Sequence, residues 1–354
     1  VRDPAGLVPA GAAPARLGWR LAVAGVAAVV VASALAAAVG PAGLPPWKVF
    51  LELLDRLPLV DVDSGLSAAQ AAIVWEVRLP RIVLGLLVGA MLAGAGAGYQ
   101  AVFRNPLADP YLLGVAAGAG LGATLAIVAR LDVDGWASPV PLAAFVGAVV
   151  AVAATGLLGA TRRAEAGTTR LILAGIAVAA FFTACQTYVQ QRHAETLREV
   201  YSWILGRLAT SGWTDVAVLV PYAAVMAGVL WWYRGALDVL AVGDEEAASL
   251  GVDPGRVRWA VLGAASLGAA AAVAVAGLIG FVGLVVPHLV RLLTGVSNRR
   301  VVPLALAGGA AFLVVADIAA RSIDAPAELP IGVVTAFIGA PFFLLVLRRE
   351  GATA

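Results

Sequence analysis

The residues in this chain with the chemistry to ligate, hydrolyse or transfer are few and scattered. The two histidines, His193 and His288, lie far apart and neither belongs to an HExxH pattern, so they form no recognisable ligand pair. The single Cys185 excludes an internal disulfide framework and any cysteine-rich metal site. Lys48 is the only lysine, and its surroundings, Pro45-Pro46-Trp47-Lys48, lack the glycines of a GxxxxGK phosphate loop. The polypeptide therefore cannot hydrolyse nucleotide by P-loop chemistry. An intramembrane enzyme would need paired acids, or a nucleophile with its base, within one bundle, and the sequence offers neither. No catalytic residue and no metal ligand set is expected. What remains are charged groups at the ends of apolar runs. Asp317 is a functional candidate by position, although pairing with Arg321 at i+4 would explain it more simply. Arg78 and Arg81 stand at the entrance to another run. His288 follows Pro287 and is expected to satisfy backbone groups that the proline frees, and His193 reads as a surface residue.

The elements that must hold these groups are set by composition. Of 354 residues, 61% are hydrophobic and only 13% charged, with 40 glycines. An ordinary globular domain holds about 45–50% apolar residues, so a water-soluble fold cannot bury this excess. The expected fold class is all-α, a polytopic membrane protein with about ten transmembrane helices of about 20 residues each. Candidate spans fall at Leu17 to Val39, Ile82 to Phe103, Leu112 to Ala129, Pro139 to Ala160, Leu171 to Gln191, Val216 to Tyr233, Val257 to Ala276, Leu278 to Leu293, Val302 to Ala320 and Ile331 to Leu347. Residues 1–16 are read as a cytoplasmic tail and 17–350 as one transmembrane domain. The first span follows Arg16 and Arg20 without a clear cleavage signal and reads as an anchor, not a signal peptide. Gly277, Gly280, Gly283 and Pro287 interrupt the eighth, which is expected to be short or broken and shielded from lipid. The stretch Leu197 to Ala209 is amphipathic and too short to cross.

Basic residues set the orientation. With both termini in the cytoplasm, the outer set is Lys48, Arg56, Arg78, Arg81, Arg130, Arg192, Arg198, Arg207 and Arg321, and the remaining 15 of 24 basic residues lie inside. Net charge is +2 with no long basic run, so nucleic acid is not an expected partner. Glycines recur at four-residue spacing (Gly85/Gly89, Gly94/Gly98, Gly114/Gly118/Gly122), the pattern of close helix packing in membranes. The hydrophilic interval 234–258 carries a short helix-forming stretch, Asp244 to Leu250, ahead of a Gly251 stop. Lying inside, it can dock into the groove of a partner.

Four segments then carry a resemblance. Arg78-Leu79-Pro80-Arg81 continues through Gly89 and Gly94 to Asn105-Pro106-Leu107-Ala108-Asp109-Pro110. Gly243-Asp244-Glu245-Glu246-Ala247-Ala248-Ser249-Leu250-Gly251-Val252, Gly280-Phe281-Val282-Gly283 through Pro287-His288 to Arg291, and Glu328-Leu329-Pro330-Ile331-Gly332 through Gly339-Ala340-Pro341 follow in order. Over roughly residues 75 to 350 the chain resembles the permease subunits of ABC importers for iron-siderophore complexes, haem and cobalamin, the FecCD type.

The resemblance implies a cobalamin-permease-like bundle, a homodimer with its path on the two-fold axis, two cytoplasmic ATPase subunits and an extracytoplasmic binding protein. The cargo would be a metal chelate: siderophore complex first, haem second, cobalamin third. No cofactor is expected on this chain, ATP and Mg²⁺ being held by the partner ATPase. By the same resemblance, Gly243, Asp244, Glu245, Ala248, Leu250 and Gly251 couple to the ATPase, Arg78, Arg81 and Arg321 dock the binding protein, and Asn105, Leu107, Thr168 and Thr169 form the gate. Guanidinium groups suit docking because their fork binds carboxylate bidentately. A carrier driven by an ion gradient is the alternative, but such proteins usually bury carboxylates near mid-membrane, where these spans have almost none.

Overall fold

The computed structural model describes residues 17–40, 42–56, 62–131, 139–159, 164–208, 212–325 and 327–351. The tail 1–16 lies outside these residues, as do Arg162 and Arg163. The described residues form fourteen α-helices and no strand. In chain order they are α1 (Trp19–Ala38), α2 (Pro46–Asp55), α3 (Ala68–Ala72), α4 (Leu79–Val102), α5 (Val115–Val128), α6 (Pro139–Gly159), α7 (Ala164–Arg192), α8 (Leu197–Ile204), α9 (Trp213–Leu240), α10 (Asp244–Ser249), α11 (Pro254–Ala276), α12 (Val282–Thr294), α13 (Asn298–Ala320) and α14 (Ile331–Gly351). Seven segments are long and apolar enough to cross a bilayer, and three shorter apolar helices, α5, α12 and Ile331–Val346 of α14, bring the set to the ten that hydropathy predicts.

α4 is the axis of the bundle, with 78% of its apolar window buried against 11% for that of α7. Its small residues let neighbouring backbones touch. A Cβ on Gly89 would lie 2.2 Å from the Gly309 carbonyl oxygen of α13, and one on Gly309 would lie 2.3 Å from the Gly89 oxygen. Gly118 and Gly147 close α5 on α6 in the same reciprocal way. Lipid offers no hydrophobic drive for association, so such close packing holds the helices together. The expected glycine stripes act as helix contacts at these positions.

The eighth span is broken as expected. α11 stops at Gly277 (φ +73°), residues 277–281 are not helical, and α12 has 13 residues. At 1.5 Å per residue that is about 20 Å, short of the roughly 30 Å hydrocarbon core. Gly283, at the start of α12, meets the middle of α4: a Cβ on Gly96 would fall 1.8 Å from its carbonyl oxygen. Polar side chains cover the exposed backbone. Tyr111 Oη donates to the Ile279 carbonyl at 2.9 Å. Pro287 has no N–H for the Gly283 carbonyl four residues back, and Gln100 Nε2 reaches that oxygen at 3.4 Å and the Leu284 oxygen at 3.3 Å. Gln100 thus covers this carbonyl, and the buried His288 ring meets Phe342 edge-on.

Two helices between the first and second spans are absent from the sequence-based expectation. α2 begins with Pro46 at its first position and turns Val49 and Glu52 inward. Glu52 accepts hydrogen bonds from Ser64 Oγ (2.7 Å) and Trp75 Nε1 (2.9 Å). α3 opens with a Ser67/Gln70 capping box and runs through a π-helical stretch, Ile73–Arg78, into α4. The amphipathic stretch at 197 forms α8, shorter than its expected extent, with Val200 and Trp203 buried.

Candidate functional site

Charged groups gather at the two ends of the bundle, and the two clusters are built differently. At one end stands α10. Asp244, Glu245 and Glu246 occupy its first turn, where the helix dipole favours negative charge. Its last turn closes through Gly251 at φ +79°, with Gly251 N bonded to the Ala248 oxygen (3.0 Å) and Val252 N to the Ala247 oxygen (2.9 Å). Ala247 is fully buried, whereas Glu245 and Ala248 face outward and Leu250 is 69% exposed. Val242, which sequence reasoning passed over, is 73% exposed just ahead of the helix. α10 thus has one face fixed to the bundle and one apolar and acidic face open.

Asp244 is the fixed point. Its Oδ1 receives Arg104 Nη2 and Arg258 Nη2, each at 2.5 Å. Partial burial works against ionisation, but the two arginines outweigh it and hold the carboxyl below its usual range. Arg258 lies on α11, and Arg104 lies at the end of α4, immediately before Asn105. Asn105 organises the next turn: its Oδ1 accepts Leu107 N (2.9 Å) and its carbonyl accepts Ala108 N (3.1 Å). The residues expected to couple and those expected to gate are thereby joined through Arg104. Thr168 and Thr169 lie in the opening turns of α7, with Thr169 exposed. α7 crosses the same connection further on, where a Cβ on Gly175 would lie 2.1 Å from the Leu112 oxygen.

At the opposite end Arg78, Arg81 and Arg321 converge. Arg81 binds Asp317 through Nη2 at 2.8 Å and Nε at 3.1 Å, and Glu328 through Nη1 at 2.8 Å. The Arg81 guanidinium holds the Glu328 carboxyl below its usual range. Asp317 pairs with Arg321 at i+4 as expected, Nε to Oδ2 at 3.6 Å, and takes Arg81 as a second, nearer partner. Arg78 and Arg321 are each only 4% exposed. Arg78 Nη1 donates to the Ala37 carbonyl at 2.6 Å and Arg321 Nη2 to the Ala36 carbonyl at 2.8 Å. Two guanidinium groups thus occupy the last carbonyls of α1, where backbone acceptors lack helical partners and the dipole is negative. A cavity of about 140 Å³ opens beside the cluster, lined by Arg81, Arg207, Asp317 and Glu328 among others. His193 lies after α7, 44% exposed, with Nδ1 3.5 Å from Glu195.

Comparison with known proteins fits this architecture. The chain is 42% identical to the cobalamin import system permease protein BtuC of Halobacterium salinarum, over 87% of this chain and 81% of that one. It is 35% identical to the Fe(3+)-citrate import system permease protein YfmE of Bacillus subtilis, over 91% and 92%. A solved inward-facing metal-chelate type ABC transporter superposes with a TM-score of 0.80 at 28% identity, covering 93% of this chain and 99% of that one. The profile of the FecCD transport family matches residues 27–349. A helical permease without a phosphate loop, alike in sequence and in fold to import permeases over nearly its whole length, belongs to the FecCD transport family of ABC importer permeases and is a transport subunit, not an enzyme.

Proposed function

We propose that this chain conducts a metal chelate into the cytoplasm, the cargo being a ferric complex or cobalamin. In this reading a separate ATPase docks on the α10 face, a second copy of the chain completes the path, and an extracytoplasmic protein delivers cargo at the opposite end. Both termini then lie in the cytoplasm, and residues 17–350 act as one membrane domain. The observation that carries the reading is α10 itself. A six-residue helix, clasped at Asp244 and sealed at Gly251, holds Glu245, Ala248 and Leu250 outward in a chain whose sequence lacks a GxxxxGK phosphate loop. Gly243 and Gly251 bound that short helix, so its register on a partner is set by the fold. Asn105 and Leu107, with Thr168 and Thr169, supply small neutral polar groups and an apolar plug, which pass a bulky chelate without a fixed charge to trap it.

At the delivery end Arg78 and Arg321 are buried on α1 carbonyls. Docking by this arginine set therefore rests on Arg81, whose guanidinium is 14% exposed and already holds the half-exposed Glu328, so Glu328 is the charge of this pair that a partner meets first. Rim charges of this kind act on encounter rate and orientation more than on final affinity.

The test uses liposomes holding the permease with its ATPase and binding protein, with cobalamin and ferric citrate as the probe cargoes. Glu245→Arg and Leu250→Trp should lower ATPase capture at least about tenfold, as truncation of a central interface anchor does. Uptake should fall with it. Unchanged capture and uptake in both variants would remove the docking assignment.

A further inference from the structure

We infer that the Arg104–Asp244 ion pair is the joint through which α10 moves the Asn105–Leu107 turn. The inference rests on the coupling and gate assignments just proposed and adds the part that connects them. Asp244 Oδ1 is shared by two arginines at 2.5 Å that lead in different directions. Arg258 leads to α11, an element of the bundle core with 67% of its apolar window buried. Arg104 leads to the turn. It is one of three non-glycine residues with positive φ among the described residues, at +49°, a backbone state that L-residues seldom adopt. That conformation lets the chain leave α4 and point the Arg104 side chain at Asp244 while Asn105 N bonds back to the Gln100 carbonyl at 3.1 Å. From Arg104 onward nothing is slack, because Asn105 Oδ1 and its carbonyl fix Leu107 and Ala108. Gln100, in the last turn of α4, also binds the start of α12, so the end of α4 and the turn that follows it touch the broken span and the coupling helix respectively.

Geometry separates this joint from ordinary surface pairing. An exposed ion pair adds little to stability, and Arg104 is 38% exposed. Its effect belongs in the transfer of motion: α10 and the turn shift as one body while the pair is closed and separately when it is open. Arg104 acts here through other residues and is a positioning residue.

The experiment places an environment-sensitive bimane label at Leu107→Cys in a Cys185→Ser background, in nanodiscs with the ATPase bound, and reads the emission change on adding ATP and vanadate. Arg104→Gln should reduce that change at least about fivefold while ATPase capture stays within about twofold, since only one charge-assisted contact is lost. Arg104→Lys should keep more than half of the change, because the contact runs from one terminal nitrogen to one oxygen and a point charge suffices. A full emission change in Arg104→Gln would overturn the joint. A loss in Arg104→Gln that merely tracks lost ATPase capture would do the same. No emission change even with the pair intact would instead remove the gate assignment of Leu107, leaving docking to be decided by the Glu245 and Leu250 variants.

Discussion

Arg78 and Arg321 show how far a residue's chemistry is legible without its neighbours. Their type and their place at span ends mark them as functional, and a guanidinium does suit a carboxylate partner. Their actual acceptors are the Ala37 and Ala36 carbonyls, 41 and 285 positions away in the chain, and no local pattern announces such a pairing. Asp317 is legible in part: the i+4 pair with Arg321 forms at 3.6 Å, and folding adds Arg81 at 2.8 Å across 236 positions. Gln100 carries no motif signal at all, and its use emerges only when Pro287 withdraws a donor from Gly283. A prediction follows for the capped end of α1. Arg78→Ala leaves the buried Ala37 carbonyl unpaired at a site closed on the Arg78 guanidinium by Gly40, whose Cβ would come within 2.6 Å of it. Losing the partner of a buried acceptor costs roughly 1–3 kcal/mol, to be read as a lowered Tm in detergent. ATPase capture at the far end should not change. A Tm equal to that of the unsubstituted protein would mean that the carbonyl finds water, and the capping role would be lost.

Among the elements, those with a strong local signal were legible and those shaped by their surroundings were not. Four helix breakers between 277 and 287 announce the interrupted span, and Asp244 to Gly251 announces a short capped helix. α2 and α3 escaped the hydropathy reading because neither is long or uniformly apolar. Yet Pro46 at a first helical position and the Ser67/Gln70 capping box were start signals present in the sequence. The glycine stripes predicted close packing without naming partners, and the contact between α4 and α12 is the tightest of those described above. Gly96→Ala would put a methyl group 1.8 Å from the Gly283 oxygen, a backbone atom that no side-chain rotation can clear. The two helices must part, costing roughly 3 kcal/mol, at the upper end of overpacking penalties, and Gln100 would lose its hold on α12. Gly228→Ala on α9, where the new methyl meets nothing within 4 Å beyond its own stretch of helix, should be neutral or stabilising by about 0.5–1 kcal/mol. Thermal unfolding of the pair checks both. Equal Tm values would show that α4 and α12 separate freely and that the broken span is not held by this contact.

At the scale of the whole molecule, the ten spans and the two charged ends follow from composition and basic-residue placement, whereas the identity of each end depends on the membrane. An even number of crossings puts both termini on one side, and short loops rich in arginine remain in the cytoplasm. The α10 end carries Arg104, Arg234, Arg256, Arg258, Arg299 and Arg300 in short connections or in the helical turns next to them. Over the whole sequence 15 of the 24 basic residues fall on the α10 side and nine on the opposite one, where Arg78 and Arg321 are withdrawn into the bundle. Insertion therefore favours α10 inside, as the proposed docking of an ATPase on it requires. Two exposed apolar residues report the two ends: Leu250 beside α10, and Ile323, 70% exposed in the turn after α13. In a Cys185→Ser background, a membrane-impermeant maleimide applied to intact spheroplasts should label Ile323→Cys at least about tenfold faster than Leu250→Cys, because only one end meets the outer solution. Permeabilisation should bring the two rates together. The reverse order would invert the topology and separate α10 from any cytoplasmic motor, which makes this measurement the condition on which the coupling of α10 to the gate depends.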